Sequence, residues 1–284
     1  MTIFISGASG YLGSHLVKSL SKSHHVVALI RTYSSKSRLQ NFPIEIVYLD
    51  EEGALEKAFQ THSPELLINT AALYGRKGES ASALVEANID FPIKFLTLAK
   101  QYNSRAFIHT GTSLPDEISP YALTKNTFVK LAKFNTQSSL KFINIALEHF
   151  YGPEDDPSKF TTYVINSCLK NDDLQLTNGK QQRDFIYIDD VVSAYEIIIS
   201  KIDTLASFET IPVGSGESPT VREFVETIHA CSHSKSKLKF GAIDMRENEL
   251  MYSCADTAKL KQLGWQLMYP LESGIKTTLK GNVL

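Results

Sequence analysis

Short apolar runs, separated by segments with helical spacing, make up the first half of the chain. The runs predict strands at residues 3–6, 26–30, 44–49, 66–69, 106–109 and 142–147. Between the runs, apolar residues recur every three or four positions, as at Leu12, Leu16 and Leu20, which predicts amphipathic helices. Strands that alternate with helices in this way predict an α/β fold with a doubly wound, parallel sheet.

The pattern changes at Tyr151, where a polar loop interrupts the alternation of strands and helices. Beyond this loop the sequence predicts a helix at residues 160–169 and a strand at residues 185–188. A further helix is predicted at residues 191–199, with Asp189 as its N-cap.

This change of pattern predicts two domains. A sheet domain is expected over residues 1–150, and the segment 184–200 is expected to return to it. A smaller α+β domain is expected over residues 151–284, as a lid over the carboxyl ends of the strands. Doubly wound proteins bind their ligands at those strand ends, so the lid is predicted to bind the substrate.

Composition narrows the possible partners. The chain has 284 residues and a net charge of −2, which gives no indication of nucleic acid or an anionic membrane as a partner. Its three cysteines are widely spaced and show no ligand spacing to histidine, so we predict reduced thiols and no metal site. The chain opens on a strand pattern and has no apolar run of transmembrane length, which predicts a cytoplasmic location.

A glycine-rich turn, GASGYLG, lies between the first predicted strand and the first predicted helix. Glycines allow a tight turn and a close approach of the backbone to a diphosphate, and the helix N-terminus adds a partial positive charge. We therefore predict a dinucleotide site in preference to a purely structural turn. The residues of the turn assigned to this cofactor are Gly7, Ser9, Gly10, Tyr11, Leu12 and Gly13.

Arg31 stands at the end of the second predicted strand, where a carboxylate would favour NAD. A guanidinium there can pair with a 2′-phosphate, and Arg38 is near in sequence. We therefore predict NADPH as the cofactor, with NADH possible; the alternative is a solvated arginine on a loop. Asp50 is expected either to bind the adenine or to cap a helix over residues 51–59.

Thr112, Tyr121 and Lys125 follow the fifth predicted strand and form a candidate catalytic trio. Tyr121 and Lys125 are four residues apart on a predicted helix, so they share one face about 6 Å apart along the axis. An ammonium is expected to lower the pKa of the neighbouring phenol, and the Thr112 hydroxyl could hold a carbonyl oxygen. This set suits hydride transfer at a ketone, whereas the alternative is an unremarkable surface pair.

Taken together, these residues resemble the extended short-chain dehydrogenases/reductases that modify sugar nucleotides. The resemblance covers essentially the whole chain and implies a Rossmann fold, a nucleotide-sugar substrate and a homodimer through helices at residues 84–100 and 121–135. The motifs that carry it are Gly7, Gly10, Gly13, residues 70–72, Asn88, Thr112, Tyr121, Lys125, residues 182–191, Arg246 and residues 263–265. The cofactor residues that it adds are Ala71, Ala72, Asn88, Thr110, Tyr121, Lys125 and Leu147.

Residues 74–76, 111–115, 147–152 and 248–256 show a narrower resemblance, to reductases within that family. Those enzymes use NADPH to reduce C4 of CDP-4-dehydro-3,6-dideoxyglucose, which yields a dideoxyhexose of bacterial O-antigen. The resemblance therefore implies reduction of a CDP-linked 4-keto sugar. The residues assigned to the substrate are Tyr74, Ser113, His149, Lys159, Arg183 and Arg246.

Some of these residues have alternative interpretations. Arg183 and Arg246 are expected to clamp the diphosphate, although each could instead pair with a nearby carboxylate such as Glu249. His149 stands where many relatives have asparagine, and it is either a substrate ligand or a core histidine. Ser113 and Leu114 replace the Asp–Glu pair of the relatives that dehydrate sugars, so dehydration is not expected.

Other functions remain open at this stage. The substrate could be a CDP-4-keto-6-deoxyheptose or a dTDP-4-keto-6-deoxyhexose. The same trio would also serve a 4-epimerase that retains NAD and returns the hydride to the same sugar. A dinucleotide sensor without turnover would have no need of the trio, which argues against that class.

Overall fold

The computed structural model describes residues 1–135 and 140–282. These residues form two compact units. The first unit consists of Met1–Ala146 and Tyr195–Ile211, and the second of Leu147–Ala194 and Pro212–Leu284. Their assignment as a cofactor domain and a substrate domain stays a prediction.

The strands and helices alternate along the first half of the chain. In chain order the strands are β1 (Thr2–Ser6), β2 (His25–Ile30), β3 (Ile44–Tyr48), β4 (Leu66–Asn69), β5 (Ala106–Thr110), β6 (Lys141–Leu147), β7 (His149–Tyr151), β8 (Leu174–Leu176), β9 (Phe185–Tyr187), β10 (Phe208–Val213) and β11 (Leu238–Phe240). The helices are α1 (Tyr11–Leu20), α2 (Ala54–His62), α3 (Ala81–Val85), α4 (Phe91–Gln101), α5 (Pro120–Asn135), α6 (Phe160–Lys170), α7 (Ile188–Ser200), α8 (Val221–Cys231), α9 (Ala258–Leu263) and α10 (Leu271–Asn282).

A seven-stranded sheet has the strand order β10-β6-β5-β4-β1-β2-β3. The pairings from β6 through to β3 are all parallel. The chain winds outward from β1 in one direction and from β4 in the other, which places the switch point between these two strands. The predicted doubly wound α/β fold is confirmed, whereas strand β10 at the edge was not predicted.

One face of the sheet carries two rows of side chains that cross the strands in register. The apolar row consists of Phe4, Leu67, Phe107 and Phe142, followed by Phe208, whose ring centroid lies 5.3 Å from that of Phe142. This row packs in one buried cluster with aromatic residues of α2, α4 and α5. The burial of large aromatic side chains on both sides of this contact stabilises the first unit.

The second row lies two residues further along each strand, towards the carboxyl ends. This polar row consists of Ser6, Asn69, His109 and Asn144, which are paired in register across β1, β4, β5 and β6. Successive residues of a strand point to opposite faces, so residues two apart share the face of the apolar row. All four polar side chains are buried.

The second unit contains two small sheets, in which β7 pairs with β9 and β8 with β11, both in parallel. The helix predicted at 191–199 begins earlier, at Ile188, so Asp189 lies in its first turn and the prediction that it is the N-cap was wrong. A carboxylate in the first turn still stabilises the helix dipole. Asp190 accepts the backbone N–H groups of Met268 and Tyr269, at 2.8 and 3.0 Å.

Candidate active site

The glycine turn joins β1 to α1 as predicted. Gly7 has a φ of +69°, and a Cβ atom at Gly13 would lie 2.2 Å from the Gly7 carbonyl oxygen, so neither position accepts a side chain. Gly10 is the N-cap of α1 and no side chain caps the helix there. The amide groups of the first turn can therefore receive a diphosphate, which is the fit that a dinucleotide requires.

The other assigned residues of this turn differ in exposure. Ser9 is half-buried, whereas Tyr11 and Leu12 are buried in the first turn of α1. The guanidinium of Arg38 lies 5.5 Å from the centre of the Tyr11 ring. This contact keeps a cation beside the glycine turn.

Arg31 and Asp50 lie at the ends of neighbouring strands. Arg31 is exposed and donates a hydrogen bond to the Tyr33 hydroxyl. Asp50 accepts the backbone N–H of Thr32 at 2.8 Å as well as the Thr32 hydroxyl, and the hydroxyl is the main reason that the pKa of Asp50 is lowered. Helix α2 begins at Ala54 with Gly53 as its N-cap, so the alternative in which Asp50 caps this helix was wrong.

Asn88 fastens the segment after β4 to helix α5. It lies in a π-helical turn, Glu86–Asp90, between α3 and α4. Its side chain accepts the N–H of Leu73 at 2.9 Å, and donates to the Leu73 carbonyl at 2.9 Å and to the Thr124 hydroxyl at 3.0 Å. Asn88 thus fixes the loop that carries Ala71 and Ala72, which are both half-buried. The hydrogen bond from Asn88 to Thr124 could not be predicted from the sequence.

Thr110 and Thr112 lie at the end of β5. The Thr110 hydroxyl is 2.6 Å from the Tyr195 hydroxyl on α7, a contact between residues 85 positions apart that no sequence signal indicates. The Thr112 hydroxyl accepts the N–H of Leu114 at 3.2 Å, within a loop that also holds the half-buried Ser113.

Asp116 connects the same loop to helix α5. Its carboxylate accepts from Asn126 at 2.7 Å and from Lys130 at 2.5 Å, both on α5. The Lys130 ammonium is the main cause of the lowered pKa of Asp116. Asp116 is therefore tied to the surface of α5.

Tyr121 lies in the first turn of α5 beneath Tyr74. The two rings are stacked, with centroids 4.7 Å apart. Tyr74 and Arg76 both lie on the loop after β4, and the Arg76 guanidinium is 5.0 Å from the centre of the Tyr74 ring. The pKa of Tyr121 is raised well above its ordinary value, mainly by burial, and this overturns the expectation of an acidified phenol. Lys125 was expected to lower the pKa of Tyr121, but the pKa of Lys125 is itself lowered, which weakens its positive charge near neutral pH.

Lys125 is 1% exposed, one turn after Tyr121. Burial alone lowers the pKa of Lys125 from 10.5 to about 7, because the charged form loses its hydration. Among residues 1–135 and 140–282, no carboxylate lies within ion-pair distance of its amine. The lowered pKa brings the titration of Lys125 towards neutral pH, which reduces the charge that the lysine can offer to stabilise a phenolate.

In the second unit, Arg183 has protein partners of its own. It is 6% exposed and donates to Glu249 at 2.7 Å, to the Gln182 carbonyl at 2.7 Å and to the Leu250 carbonyl. The alternative in which Arg183 pairs with Glu249 thus describes the structure. Arg246 is exposed.

His149 lies beside a buried carboxylate in the second unit. Its Nδ1 is 3.9 Å from an oxygen of Glu148, and both oxygens of Glu148 accept from the Ser253 hydroxyl at 2.7 Å. The His149 side chain is 39% exposed, so it is not a core histidine. Lys159 donates a hydrogen bond to Asp155 at 2.9 Å, and its ammonium lies over the Phe150 ring. Leu147, which was assigned to the cofactor, is buried at the end of β6.

His25, Glu45 and His62 bring possible metal ligands within 4.8 Å of one another in the first unit. The Nε2 of His25 is 2.6 Å from one oxygen of Glu45, and that of His62 is 3.7 Å from the other. Two ligands of one tetrahedral zinc ion are about 3.3 Å apart, whereas 2.6 Å is a hydrogen-bond distance. We therefore interpret this group as a surface hydrogen-bonded cluster.

Within the described part of the chain, no helix is both long and apolar enough to cross a membrane. The three cysteines are unpaired thiols, of which Cys168 is buried.

The parallel sheet, the glycine turn and the helix that carries Tyr121 and Lys125 define a dinucleotide-dependent α/β enzyme of the extended short-chain dehydrogenase/reductase class. The family model of the NAD dependent epimerase/dehydratase family matches residues 3–214. The chain therefore belongs to the NAD-dependent epimerase/dehydratase family, for which NAD(P) is the typical cofactor and whose members act on nucleotide sugars.

Relatives of known function extend over nearly the whole chain. CDP-abequose synthase from Salmonella typhimurium is 33% identical over 296 residues, which cover 98% of this chain and 97% of that protein. The enzyme of the same name from Salmonella muenchen is 32% identical over 286 residues, 98% of this chain and 96% of that protein. The solved structure of UDP-glucose 4-epimerase from Thermotoga maritima superposes on this chain with a TM-score of 0.87, over 99% of this chain and 98% of that chain. The two sequences are 22% identical, so this similarity supports the fold alone.

Proposed function

We propose that the protein is an NADPH-dependent reductase of the C4 ketone of a nucleotide-linked 4-keto-6-deoxy sugar. The preferred substrate is CDP-4-dehydro-3,6-dideoxy-D-glucose, and its reduction would supply a sugar of O-antigen. The observation that carries the proposal is Tyr121 and Lys125 on one face of α5, one turn apart, directly after the loop of Thr112. The similarity to CDP-abequose synthases and the local resemblance described above support the sugar nucleotide.

In this proposal Tyr121 donates the proton. The raised pKa of Tyr121 keeps the phenol protonated near neutral pH, which is the state that reduction of a ketone requires. Thr112 would hold the ketone oxygen and stabilise the negative charge that develops on it. When bound, the nicotinamide cofactor supplies the hydride to C4, and Lys125 would hold the cofactor ribose and return a proton to Tyr121.

The cofactor is proposed to be NADPH because two guanidinium groups lie near the expected 2′-phosphate. Arg31 follows β2 directly, and Arg38 lies against Tyr11 of the glycine turn. The experiment compares kcat/KM for NADPH and NADH in the wild type and in Arg31→Ala, with Lys57→Ala on the exposed side of α2 as a control. We expect the Arg31 variant to lose preference for NADPH by about tenfold, the size of one phosphate contact. A wild type that uses NADH better would refute the assignment.

Substrate-binding roles are proposed for residues of each unit, taken separately. Arg246, which is exposed, is the candidate for the diphosphate, whereas Arg183 would have to leave Glu249 to bind it. His149 is proposed to present its second ring nitrogen to the substrate, because Glu148 lies on the Nδ1 side of the ring. Tyr74, Ser113 and Lys159 stay in the proposed set on position alone.

The configuration at C4 separates two products of one substrate. The local segments resemble CDP-paratose synthase, which predicts CDP-paratose, whereas the similar proteins reported above are CDP-abequose synthases. The test incubates the protein with NADPH and a panel of CDP- and dTDP-linked 4-keto sugars, including a 6-deoxyheptose, and determines the product by NMR. A large trans-diaxial coupling between H4 and H5 identifies the paratose configuration, and a small coupling identifies abequose. No NADPH oxidation with any member of the panel would refute the reductase.

A 4-epimerase is the alternative within the family. The two functions are distinguished by the cofactor of the purified protein. Stoichiometric NAD that does not exchange would indicate an epimerase, and consumption of added NADPH would indicate a reductase.

A homodimer is proposed through the outer face of α5. Leu123, Leu131 and Phe134 are exposed on this helix, at 48%, 38% and 89%, and their spacing places them along one side. An exposed apolar stripe of this kind is typical of a helix that packs against a partner. Size-exclusion chromatography with light scattering tests this, and Leu131→Glu is expected to give a monomer.

A further inference from the structure

Two side chains of the loop after β4 connect a positive charge to Tyr121. The Tyr121 ring lies 4.7 Å from the ring of Tyr74, at an interplanar angle of 27°. The guanidinium of Arg76 lies over the same Tyr74 ring, 5.0 Å from its centre, where the ring quadrupole attracts a cation. Gly75, with a φ of +71°, turns the backbone between the two side chains, a conformation that glycine adopts without strain.

Hydrogen bonds hold the start of this loop against helix α5. Asn88 accepts the backbone N–H of Leu73 at 2.9 Å and donates to the Thr124 hydroxyl at 3.0 Å. Tyr74 directly follows Leu73, and Tyr121 lies three residues before Thr124, on the adjacent turn of the helix. The ring contact between the two tyrosines is therefore supported by the backbone on either side of it.

No carboxylate neutralises the guanidinium of Arg76. Within residues 1–135 and 140–282, no Asp or Glu lies within ion-pair distance of it. The two ring contacts keep the guanidinium within about 10 Å of the Tyr121 ring, about one Debye length at 0.1 M salt, so its charge is only partly screened there. Burial raises the pKa of Tyr121, whereas the charge of Arg76 opposes this shift and lowers it.

We propose that Arg76 is a positioning residue for Tyr121, which it supplies with positive charge through the ring of Tyr74. In the proposed reduction, the O–H bond of Tyr121 breaks and its proton passes to the oxygen at C4, which leaves a phenolate. A nearby cation stabilises that phenolate. Lys125 is less able to do so, because burial lowers its pKa to about 7. The proposal deepens the proposed function, on which it rests, because it assigns this charge to a residue outside the trio.

Two further titratable groups lie near Tyr121. Tyr195 on α7 acts to raise the pKa of Tyr121, after the larger effect of burial, and Lys125 lies one turn later on α5. Both remain unchanged in the variants below, so a difference between these variants reports the charge of the loop after β4.

The experiment is a ¹⁹F NMR titration of the full chain with 2,3,5-trifluorotyrosine at position 121, since fluorination makes the phenol more acidic and brings its titration to a lower pH. Arg76→Met removes the charge, and we expect the acid dissociation constant of the labelled phenol to fall about threefold. Arg76→Lys keeps the charge and should restore most of this loss. Lys77→Met removes the next positive charge along the loop, which is exposed, and is the matched control that should leave the titration unchanged.

Salt provides a second measurement. Arg76 is exposed, so 1 M salt, at which the Debye length is about 3 Å, should move the wild-type titration towards that of Arg76→Met and leave the variant nearly unchanged. A more highly fluorinated tyrosine replaces the label if the phenol does not titrate below the pH at which the protein unfolds.

Two outcomes would overturn the proposal: an Arg76→Met variant that titrates like the wild type, or a Lys77→Met variant that shifts the titration equally. The titration needs no turnover. A protein that shows the shift but reduces no keto sugar would refute the proposed reductase and leave the effect of Arg76 on Tyr121 intact. A working reductase whose Tyr121 titration does not depend on Arg76 would refute this proposal alone.

Discussion

Replacement of Lys125 by methionine is expected to stabilise the protein while abolishing its activity. The side chain is buried without a carboxylate partner among the described residues, and its pKa falls from 10.5 to about 7 on folding. Folding therefore opposes protonation of this amine. Methionine has a similar length and no charge, so it removes the cost and fills most of the same space.

The expected size follows from proton linkage. Because the pKa of a base is lowered in the folded state, the unfolded chain binds more protons between pH 7 and pH 10.5, and stability rises with pH across this window. The cost of Lys125 is about 5 kcal/mol well below pH 7, about 4 kcal/mol at pH 7 and about 1 kcal/mol at pH 10. The Lys125→Met variant should be more stable than the wild type by these amounts.

Urea unfolding of both proteins at pH 7 and pH 10 measures the effect. Lys57→Met, an exposed substitution on α2, is the control and should show no comparable pH-dependent gain. A difference between wild type and Lys125→Met that is the same at both pH values would refute the reasoning, as would a variant that is less stable at pH 7. A difference that does not change with pH would mean that the pKa of Lys125 is not lowered on folding.

Three further substitutions test the site. Tyr121→Phe should lower kcat by at least about a hundredfold with nearly unchanged NADPH affinity by fluorescence titration, and wild-type turnover would remove Tyr121 from the mechanism. Asn88→Ala breaks three hydrogen bonds to Leu73 and Thr124, so urea unfolding should show a loss of about 3 kcal/mol in the free energy of unfolding. The exposed Gln101→Ala is the control, and an equally small loss in both variants would contradict the role of Asn88 in holding the loop. Gly13→Ala places a Cβ atom against backbone and should weaken NADPH binding at least about tenfold in the same titration, whereas unchanged affinity would exclude this turn as the diphosphate site.

The sequence predicts the parts of the fold that are buried on both faces. Strands β1, β2 and β4 are continuous apolar runs, and a run of that kind has few other possible structures. Strand β10 was missed because it is an edge strand, half exposed and interrupted by Glu209 and Pro212, which an edge tolerates. Burial in the interior therefore determines which strands can be recognised.

The candidate site was predictable in its residues but not in its electrostatics. Spacing alone places Tyr121 and Lys125 on one helix face, because helix geometry is the same everywhere. The pKa values depend on how far each group is removed from water, which is a property of packing between distant segments, and burial reversed the expected sign for Tyr121. The partners Thr124 for Asn88 and Tyr195 for Thr110 are long-range contacts of the same kind.

The contacts of Asn88 and Tyr74 have a consequence for protein engineering. The segment 112–125 looks like a compact unit that could be grafted onto another parallel sheet to transfer the proposed chemistry. Its helix, however, is held by side chains from outside the segment, because Asn88 donates to the Thr124 hydroxyl and the Tyr74 ring is stacked on that of Tyr121. A transplanted segment would keep the tyrosine and the lysine but lose these contacts, so a recipient scaffold should supply equivalent side chains after the strand that corresponds to β4.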